Sequence, residues 1–580
     1  MKKFLAIMLA CAMVLSMAAC AAQPAATTAA ATEAPAATEA PAATTAAATT
    51  AAATTAAATE APAATEAPAA PAEKVLHVVR QQSPSNEFDF TMPLNDASNN
   101  CPGVVTNLTW LTLIEADKDL NPAKPEIMKD WNVSEDGKTI TMTLDTKWKW
   151  SDGQPITMDD VIFTLETYCK NDGSLWAYVV SAMKYIEGYA EFNAGTADHV
   201  SGISAEGDVL TIKLSDPFAS FLTLMCQVAV IPKHVYGDVE VGGEGTFVTN
   251  EIWRTLPVTS GPFMVTEQVE GNYYVMEKNP QYAGTEEYNF TKIVVSMASS
   301  PSTAAQAGET DYFTSTSADD YAVMKDLAGY NFIGVPIVFF RFLMFNLNAA
   351  DGTRKPFVDD VRIRQAFAYA IDWPTVIDGI FGDTAALTQS GVLHNDPNYA
   401  GDWYNYDPDK AKAMLDEAGF DYSHTIKCYY YYSDQATVDL MDAIAYYLGN
   451  IGVQFEGVFT NNVTADVYEG MTHDVAYFGL SAFDSLSWYQ LYLRANYQPM
   501  VETAPIFEDA VKELELAYTD ELKAAALAKL QAMDKDNSIL IPVYTLTQQV
   551  WLKDNVVTPD NCFGNGWYFY DYQFDKWDLK

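Results

Sequence analysis

Histidines, cysteines and carboxylates are the side chains through which this sequence could do chemistry. The chain has no P-loop, HExxH, G-x-S-x-G or dinucleotide-binding glycine pattern. Carboxylates are numerous enough to include a hydrolase pair, but their spacing singles none out. The six histidines lack local metal-ligand spacing, so we expect packing or surface roles for His77, His199, His234, His394, His424 and His473. The sequence therefore predicts no catalytic residue, no metal site and no cofactor.

The cysteines of the main body show no reactive pattern either. None of those after residue 72 has the C-x-x-C spacing of a metal or redox site: Cys101, Cys169, Cys226, Cys428 and Cys562. Their odd number leaves at least one thiol unpaired. We expect structural thiols, with one incidental disulfide as the alternative.

An export signal is predicted for residues 1–19. Two lysines precede an apolar run from Phe4 to Met17, which is too short to span a membrane as a helix. Small residues then lead into Cys20, so the segment resembles a lipoprotein box, with Met17 where leucine is preferred. Cys20 is the predicted lipidation site. An ordinary secretory signal cleaved nearby is the alternative.

A low-complexity tether is predicted for residues 20–72, from the lipidated cysteine onward. The motif TEAPA recurs four times in it, and residues 21–72 contain no aromatic or branched aliphatic side chain. Such a segment cannot form a core. As a flexible coil it would span roughly 40 Å, which suits a spacer that lifts a folded body off a membrane.

Length and charge restrict the function classes. The 580 residues exceed what one hydrophobic core normally organises, so we expect two or more domains. The formal net charge of −42 argues against nucleic acid or anionic lipid as a partner.

Capped helices and apolar strands must position any site in this body. Residues 339–347 form an apolar, strand-like run, and a helix is predicted behind Asp360. A second helix is predicted between Asp407 and Gly419, and a capping box at Thr157 predicts the start of a third.

Five segments follow one another in an order that is typical of one protein family. They are WKWSDGQPITMDDVIFTLE (148–166), TSGPF (259–263), MEKNPQYAG (276–284), FNLN…PFVDDVRIRQAFAYAIDW (345–373) and YDPDKAKAMLDEAGF (406–420). Together they resemble the solute-binding proteins of family 5 (peptide/nickel) ABC transporters, which include oligopeptide- and dipeptide-binding lipoproteins.

This resemblance implies the fold class and the division into lobes. The expected fold is α/β and two-lobed, periplasmic-binding-protein-like of type II, in the large cluster C form with an extra subdomain and a hinge of two crossing strands. Lobe I would comprise residues 73–340, with a small inserted subdomain at about 115–230. Lobe II would comprise residues 341–538, and residues 539–580 would return to lobe I.

The resemblance also implies where a ligand binds. Peptide carriers of the family have a Gly-Trp-x-x-Asp-Tyr pattern whose Asp binds the peptide N-terminus. Here Gly479 matches, Leu480 replaces Trp, Phe483 takes the Asp position and Asp484 comes one residue later. A shift of one residue in an extended segment turns a side chain to the opposite face, so Asp484 is either a displaced ligand group or a solvated loop carboxylate. The other candidate ligand-binding residues are Asn95, Trp403, Ser481 and Trp488.

The expected function is that of a lipid-anchored, extracytoplasmic solute-binding protein. It would capture a peptide-like ligand between its lobes and deliver it to an ABC importer whose permease and ATPase are separate chains. We expect a monomer on the outer face of the cytoplasmic membrane, in the cell-wall zone. One alternative is the same fold with an oligosaccharide, a nickel chelate or another small molecule. A second is a secreted hydrolase, although the resemblance implies no enzyme.

Overall fold

The computed structural model describes residues 73–81, 93–94, 103–170, 175–239, 252, 255–269, 271–347, 360–494 and 504–580. The predictions for the export signal, Cys20, the tether, Asn95 and Cys101 lie outside these residues. In the part of the chain that is described, no helix is long and apolar enough to cross a membrane.

Nineteen strands form the β-structure of the described residues. In chain order they are β1 (Val75–Gln81), β2 (Ile114–Ala116), β3 (Pro122–Pro125), β4 (Met128–Val133), β5 (Thr139–Leu144), β6 (Ile203–Glu206), β7 (Val209–Lys213), β8 (Phe263–Val269), β9 (Tyr273–Lys278), β10 (Lys292–Ala298), β11 (Tyr312–Ser315), β12 (Tyr330–Phe345), β13 (Ala385–Leu387), β14 (Thr425–Tyr430), β15 (Gln454–Phe459), β16 (Val475–Ser481), β17 (Leu540–Lys553), β18 (Val556–Val557) and β19 (Asp578–Leu579).

The α-helices are mostly short and cover the sheets. They are α1 (Gly103–Thr109), α2 (Met158–Lys170), α3 (Ala177–Met183), α4 (Tyr189–Asn193), α5 (Phe221–Met225), α6 (Lys233–Tyr236), α7 (Pro301–Gln306), α8 (Ala318–Met324), α9 (Val361–Ala370), α10 (Trp373–Phe381), α11 (Pro408–Ala418), α12 (Gln435–Asn450), α13 (Ser485–Tyr489), α14 (Glu508–Glu515) and α15 (Asp520–Asn537). A π-helical turn, Thr464–Glu469, precedes β16.

One sheet runs through both halves of the molecule. Its strand order is β15-β14-β16-β12-β17-β11-β1-β10-β9-β8, with β13 paired to β17. The long antiparallel strands β12 and β17 stand in the middle: β12 pairs with β16 on one side, and β17 pairs with β11 on the other. Among the described strands, these two link the two ends of the sheet, as in the predicted two-lobed α/β fold.

The central strands are buried because their sequence is apolar over long runs. Every residue of β17 from Leu540 to Leu552 is buried, as expected for a strand covered on both faces. The β12–β17 ladder is interrupted between Pro336 and Phe340, where the register shifts. Such an irregularity bends and twists the strand pair locally, and it lies where the two halves of the sheet meet.

A separate antiparallel sheet, ordered β4-β5-β7-β6, packs with helix α2 within the predicted small subdomain. The carboxylate of Asp160 accepts hydrogen bonds from the backbone N–H and the hydroxyl of Thr157, each at 2.8 Å, which forms the carboxylate half of the capping box. The apolar face of the helix, which consists of Val161, Leu165 and Tyr168, is fully buried. The lobe and subdomain boundaries themselves stay predictions.

The other helix predictions are also confirmed. Asp360 caps α9 by accepting from the backbone N–H of Arg362 at 2.9 Å. Asp407 caps α11 through Lys410, also at 2.9 Å, and Gly419 ends that helix with φ of +70°. This left-handed conformation is one that glycine adopts without strain.

Trp488 fixes the packing of lobe II beside the central strands. Its ring centre lies 4.5 Å from that of Phe340 and 5.1 Å from that of Phe342, and its side chain has no exposed surface. A Cβ atom at Gly391 would lie 1.8 Å from Trp488 Cδ1. The absence of a side chain at Gly391 therefore makes room for the indole.

Gly391→Ala is expected to lower the free energy of unfolding by about 1–3 kcal/mol, because the new methyl group overpacks the Trp488 site. Gly379 in α10 is the matched control, since no atom lies within 4 Å of its Cβ position. Gly379→Ala should raise the free energy of unfolding by about 0.5–1 kcal/mol through helix propensity. Urea unfolding measures both variants. Equal stabilities would contradict this packing.

Candidate functional site

The candidate ligand surface of lobe II lies at the carboxyl ends of two parallel strands. Strand β14 pairs in parallel with β16, and Tyr431 and Tyr432 directly follow the first of them. The segment from Ser481 to Phe483 ends the second. In open α/β sheets, ligands bind in the crevice outside such strand ends.

An aromatic wall from the predicted lobe I faces this surface. The Phe483 ring packs edge-on against Trp176, with centroids 6.0 Å apart, and against Tyr568, at 5.1 Å. The Tyr178 hydroxyl donates to the backbone carbonyl of Ser481, and the Tyr568 hydroxyl donates to that of Ala482 at 3.2 Å. In this structure, phenol hydroxyls therefore occupy the strand-end carbonyls.

Asp484 is held within the protein by both of its carboxylate oxygens. Oδ1 accepts from the backbone N–H and the hydroxyl of Ser487, at 2.9 and 2.7 Å, and thereby caps α13. Oδ2 accepts from the hydroxyl of Ser220, which lies in the predicted lobe I. The carboxylate thus joins a helix cap to a contact between the lobes.

The structure brings together some of the predicted ligand-binding residues and separates others. Gly479, Ser481, Phe483 and Asp484 follow one another along β16 and the segment after it. Trp488 belongs to the core described above. The backbone N–H of Trp403 donates to Gln389 Oε1 at 2.5 Å, and its ring packs edge-on against Tyr404.

Sequence reasoning missed Arg341, which lies directly opposite Gly479 in the β12–β16 ladder. Its guanidinium carbon is 3.7 Å from the ring centre of Tyr432. A Cβ atom at Gly479 would lie 2.3 Å from Arg341 Nη1 and 2.5 Å from the Tyr432 hydroxyl oxygen. Glycine is thus required here because the guanidinium and the phenol fill the space above it. One charged residue inside the apolar run VFFRFLMF was the available signal.

A half-buried carboxylate pair, Glu115 and Glu126, is the nearest approach to hydrolase chemistry that we find in the described residues. Burial, reinforced by the charge of Asp571, raises the pKa of Glu115 to about 7 although Lys124 lies 3.7 Å away. Burial raises the pKa of Glu126 well above its ordinary value. However, Glu126 Oε2 accepts from both the backbone N–H and the hydroxyl of Thr112 at 2.6 Å. These bonds give that carboxyl group a structural role.

The cysteines that the structure describes are structural thiols. Cys169, Cys226, Cys428 and Cys562 are free and buried, and burial raises the pKa of each thiol, that of Cys562 to about 11. Within the described ranges, no group of three or more histidines, cysteines and carboxylates is placed to hold a metal ion.

The family model for bacterial extracellular solute-binding proteins, family 5, matches residues 123–499. The chain belongs to this family. Among curated relatives, the dipeptide-binding protein of Escherichia coli is 26% identical over 52% of this chain and 56% of its own length. The oligopeptide-binding protein AppA of Bacillus subtilis is 24% identical over 57% of each chain. The chain thus spans little more than half the length of either relative.

Solved structures of the family share the fold. The substrate-binding protein CtaP of Listeria monocytogenes superposes with a TM-score of 0.71, at 19% identity, over 87% of this chain and 99% of its own. NikA of Brucella suis, solved with Fe(III)-EDTA, superposes with a TM-score of 0.69, at 18% identity, over 88% and 100%. Members that share this fold thus include one crystallised with a metal chelate.

The Asp484–Ser220 bond predicts non-additive stability effects. Asp484→Ala should lower the free energy of unfolding by about 0.5–2 kcal/mol because it removes a helix cap. Ser220→Ala removes only the bond between the lobes and should lower the free energy of unfolding by about 0.5–1.5 kcal/mol. The double variant should be little less stable than Asp484→Ala, because the two changes share one interaction. Urea unfolding of the three variants measures this, and strictly additive losses would show that the bond does not form.

Proposed function

We propose that the protein is a lipid-anchored, extracytoplasmic solute-binding protein that captures a peptide-like ligand between its lobes and delivers it to an ABC importer. Family membership supports this role, and so do the names of the relatives. The observation that carries it is the meeting of the β14 and β16 strand ends with an aromatic wall from lobe I across a two-strand hinge. Permease and ATPase would be separate chains, and the binding protein would act as a monomer without catalysis.

The site suits a ligand that offers main-chain groups and apolar side chains. The carbonyls of Ser481 and Ala482 now accept from Tyr178 and Tyr568. Backbone N–H groups of an extended ligand would donate to the same carbonyls at the strand ends. Each such bond is worth about 0.5–1.5 kcal/mol net, so a ligand can replace the phenols at little cost. Closure on the ligand would follow from its better contacts with the closed form.

Peptides should therefore raise the melting temperature of the purified protein. At a peptide concentration 100 times the Kd, mass action adds about 2.7 kcal/mol to the free energy of unfolding. A thermal-shift series with defined di- to nonapeptides measures this, with an equal concentration of free amino acids as the control. A peptide series without any shift would contradict peptide carriage.

A second candidate keeps the fold and changes the ligand to a nickel chelate, an oligosaccharide or another small solute. Two observations favour it: Phe483 stands where peptide carriers have an aspartate, and Asp484 is engaged by Ser220 and Ser487. The same thermal-shift assay with metal chelates and oligosaccharides separates the two candidates.

Membrane attachment through Cys20 has its own test. In cells that express the full chain, Cys20→Ala should move the protein from the membrane fraction to the soluble fraction, because lipid chains on that residue would be its anchor. Cys11→Ala is the matched control, since this cysteine lies within the predicted signal. Fractionation followed by immunoblotting gives the distribution. A Cys20→Ala protein that still sediments with membranes would rule out the lipid anchor.

A further inference from the structure

A positive charge lies on the hinge strand β12, between the two halves of the sheet. Arg341 pairs with Gly479 in the β12–β16 ladder and with Tyr544 in the β12–β17 ladder. Its guanidinium carbon lies 3.7 Å from the ring centre of Tyr432 and 4.8 Å from that of Phe339. Arg341 therefore sits in an aromatic box built from several strands of the central sheet.

No anion within the described part of the chain compensates this charge. Arg341 Nη1 is fully buried without a hydrogen-bond partner, and no carboxylate of the described residues forms an ion pair with the guanidinium. Hydroxyl groups rather than carboxylates surround it: those of Tyr477 and Tyr544 lie 2.6 Å apart, and that of Tyr432 lies 2.7 Å from that of Tyr431. Burying an uncompensated charge is costly, and cation–π contacts offset only part of that cost.

The aromatic box is not fully enclosed. Arg341, Phe339 and Tyr432 all keep part of their surface exposed. The Phe339 ring also contacts Trp567 of the C-terminal segment, with centroids 5.6 Å apart. A ligand between the lobes would therefore reach the guanidinium without entering the core.

We propose that Arg341 binds a carboxylate of the ligand, so that the site selects solutes with an acidic end at the hinge. This inference rests on the proposed function and names its ligand chemistry. A guanidinium offers several N–H donors in a planar fork that matches a carboxylate. The ligand would supply the anion that the described residues do not.

Near Gly479, the site would then prefer an anionic group of the ligand, whereas the peptide-carrier pattern binds a cationic group there. That pattern places an aspartate near this glycine to bind an ammonium group, whereas here Phe483 stands at the aspartate position. The space above Gly479 is filled by Arg341 Nη1 instead. A ligand ammonium group at this point would meet a like charge, which disfavours it.

The test uses one peptide sequence in four forms, with a free or acetylated N-terminus and a free or amidated C-terminus. Isothermal titration calorimetry of the wild-type protein should show a loss of affinity of about 10- to 100-fold on amidation, and little change on acetylation. Small carboxylate solutes and their methyl esters form a second pair of arms. These solutes test the role of Arg341 even if no peptide binds. They also show whether the carboxylate must belong to a peptide terminus or can belong to another solute.

Variants locate the effect. Arg341→Gln should bind the acid and amide forms equally, at the level of the wild-type protein with the amide. Arg362→Gln is the control, because it removes the same charge from a half-exposed side chain paired with Asp360. Its acid-to-amide ratio should match that of the wild-type protein. The melting temperature of unliganded Arg341→Met should not fall, since the variant removes an uncompensated charge.

The outcomes separate this inference from the proposed function. Peptides that bind equally as acid and amide would overturn the role of Arg341 and leave peptide carriage intact. Carboxylate solutes that bind better than their esters, without any peptide binding, would support Arg341 and overturn peptide carriage. If Arg341→Met lowers the melting temperature and weakens acid and amide forms alike, the residue is structural and the inference fails. A complete absence of binding in all arms would overturn both.

Discussion

The antiparallel pairing of β12 with β17 is the constraint on which the rest of the structure depends. It joins the two halves of the sheet, and its register decides which side chains face the cleft. Because side chains alternate along a strand, a slip of one residue would move Arg341 to the face of Phe340 and Phe342. The buried apolar side chains of β17 oppose such a slip. The same pairing therefore also fixes the position of Arg341 opposite Gly479.

Hydrogen bonds join the two predicted lobes within the described residues, and some of them have a carboxylate as acceptor. The hydroxyls of Tyr178 and Tyr568 donate to the strand-end carbonyls, and the hydroxyl of Ser220 donates to the carboxylate of Asp484. Each contact is weak enough to exchange for one with a ligand.

The sequence predicted the elements whose signals are local, and it missed those that arise from tertiary contacts. Caps at Asp360 and Asp407 are encoded within a few residues, so the helices behind them were predictable. The helix cap at Asp484 also has a local signal, because Ser487 follows three residues later and donates to its Oδ1. The bond from Ser220 to Asp484, in contrast, joins residues that lie far apart in the chain. Arg341 appears in the sequence as one charge in an apolar strand. Its surroundings come from segments near residues 432, 477 and 544, which only the fold brings together.

The position of Arg341 on the hinge also bears on how one site could accept varied ligands. Residues on a hinge strand move little relative to either lobe during closure, whereas the aromatic wall of Trp176 and Tyr568 moves with lobe I. An anion bound at Arg341 would therefore be held at the axis of the motion, at nearly the same place in the open and closed forms. The remainder of the ligand would meet its second wall only on closure. Affinity for the acidic end and selection of the rest of the molecule would then be separate steps, set by different parts of the chain.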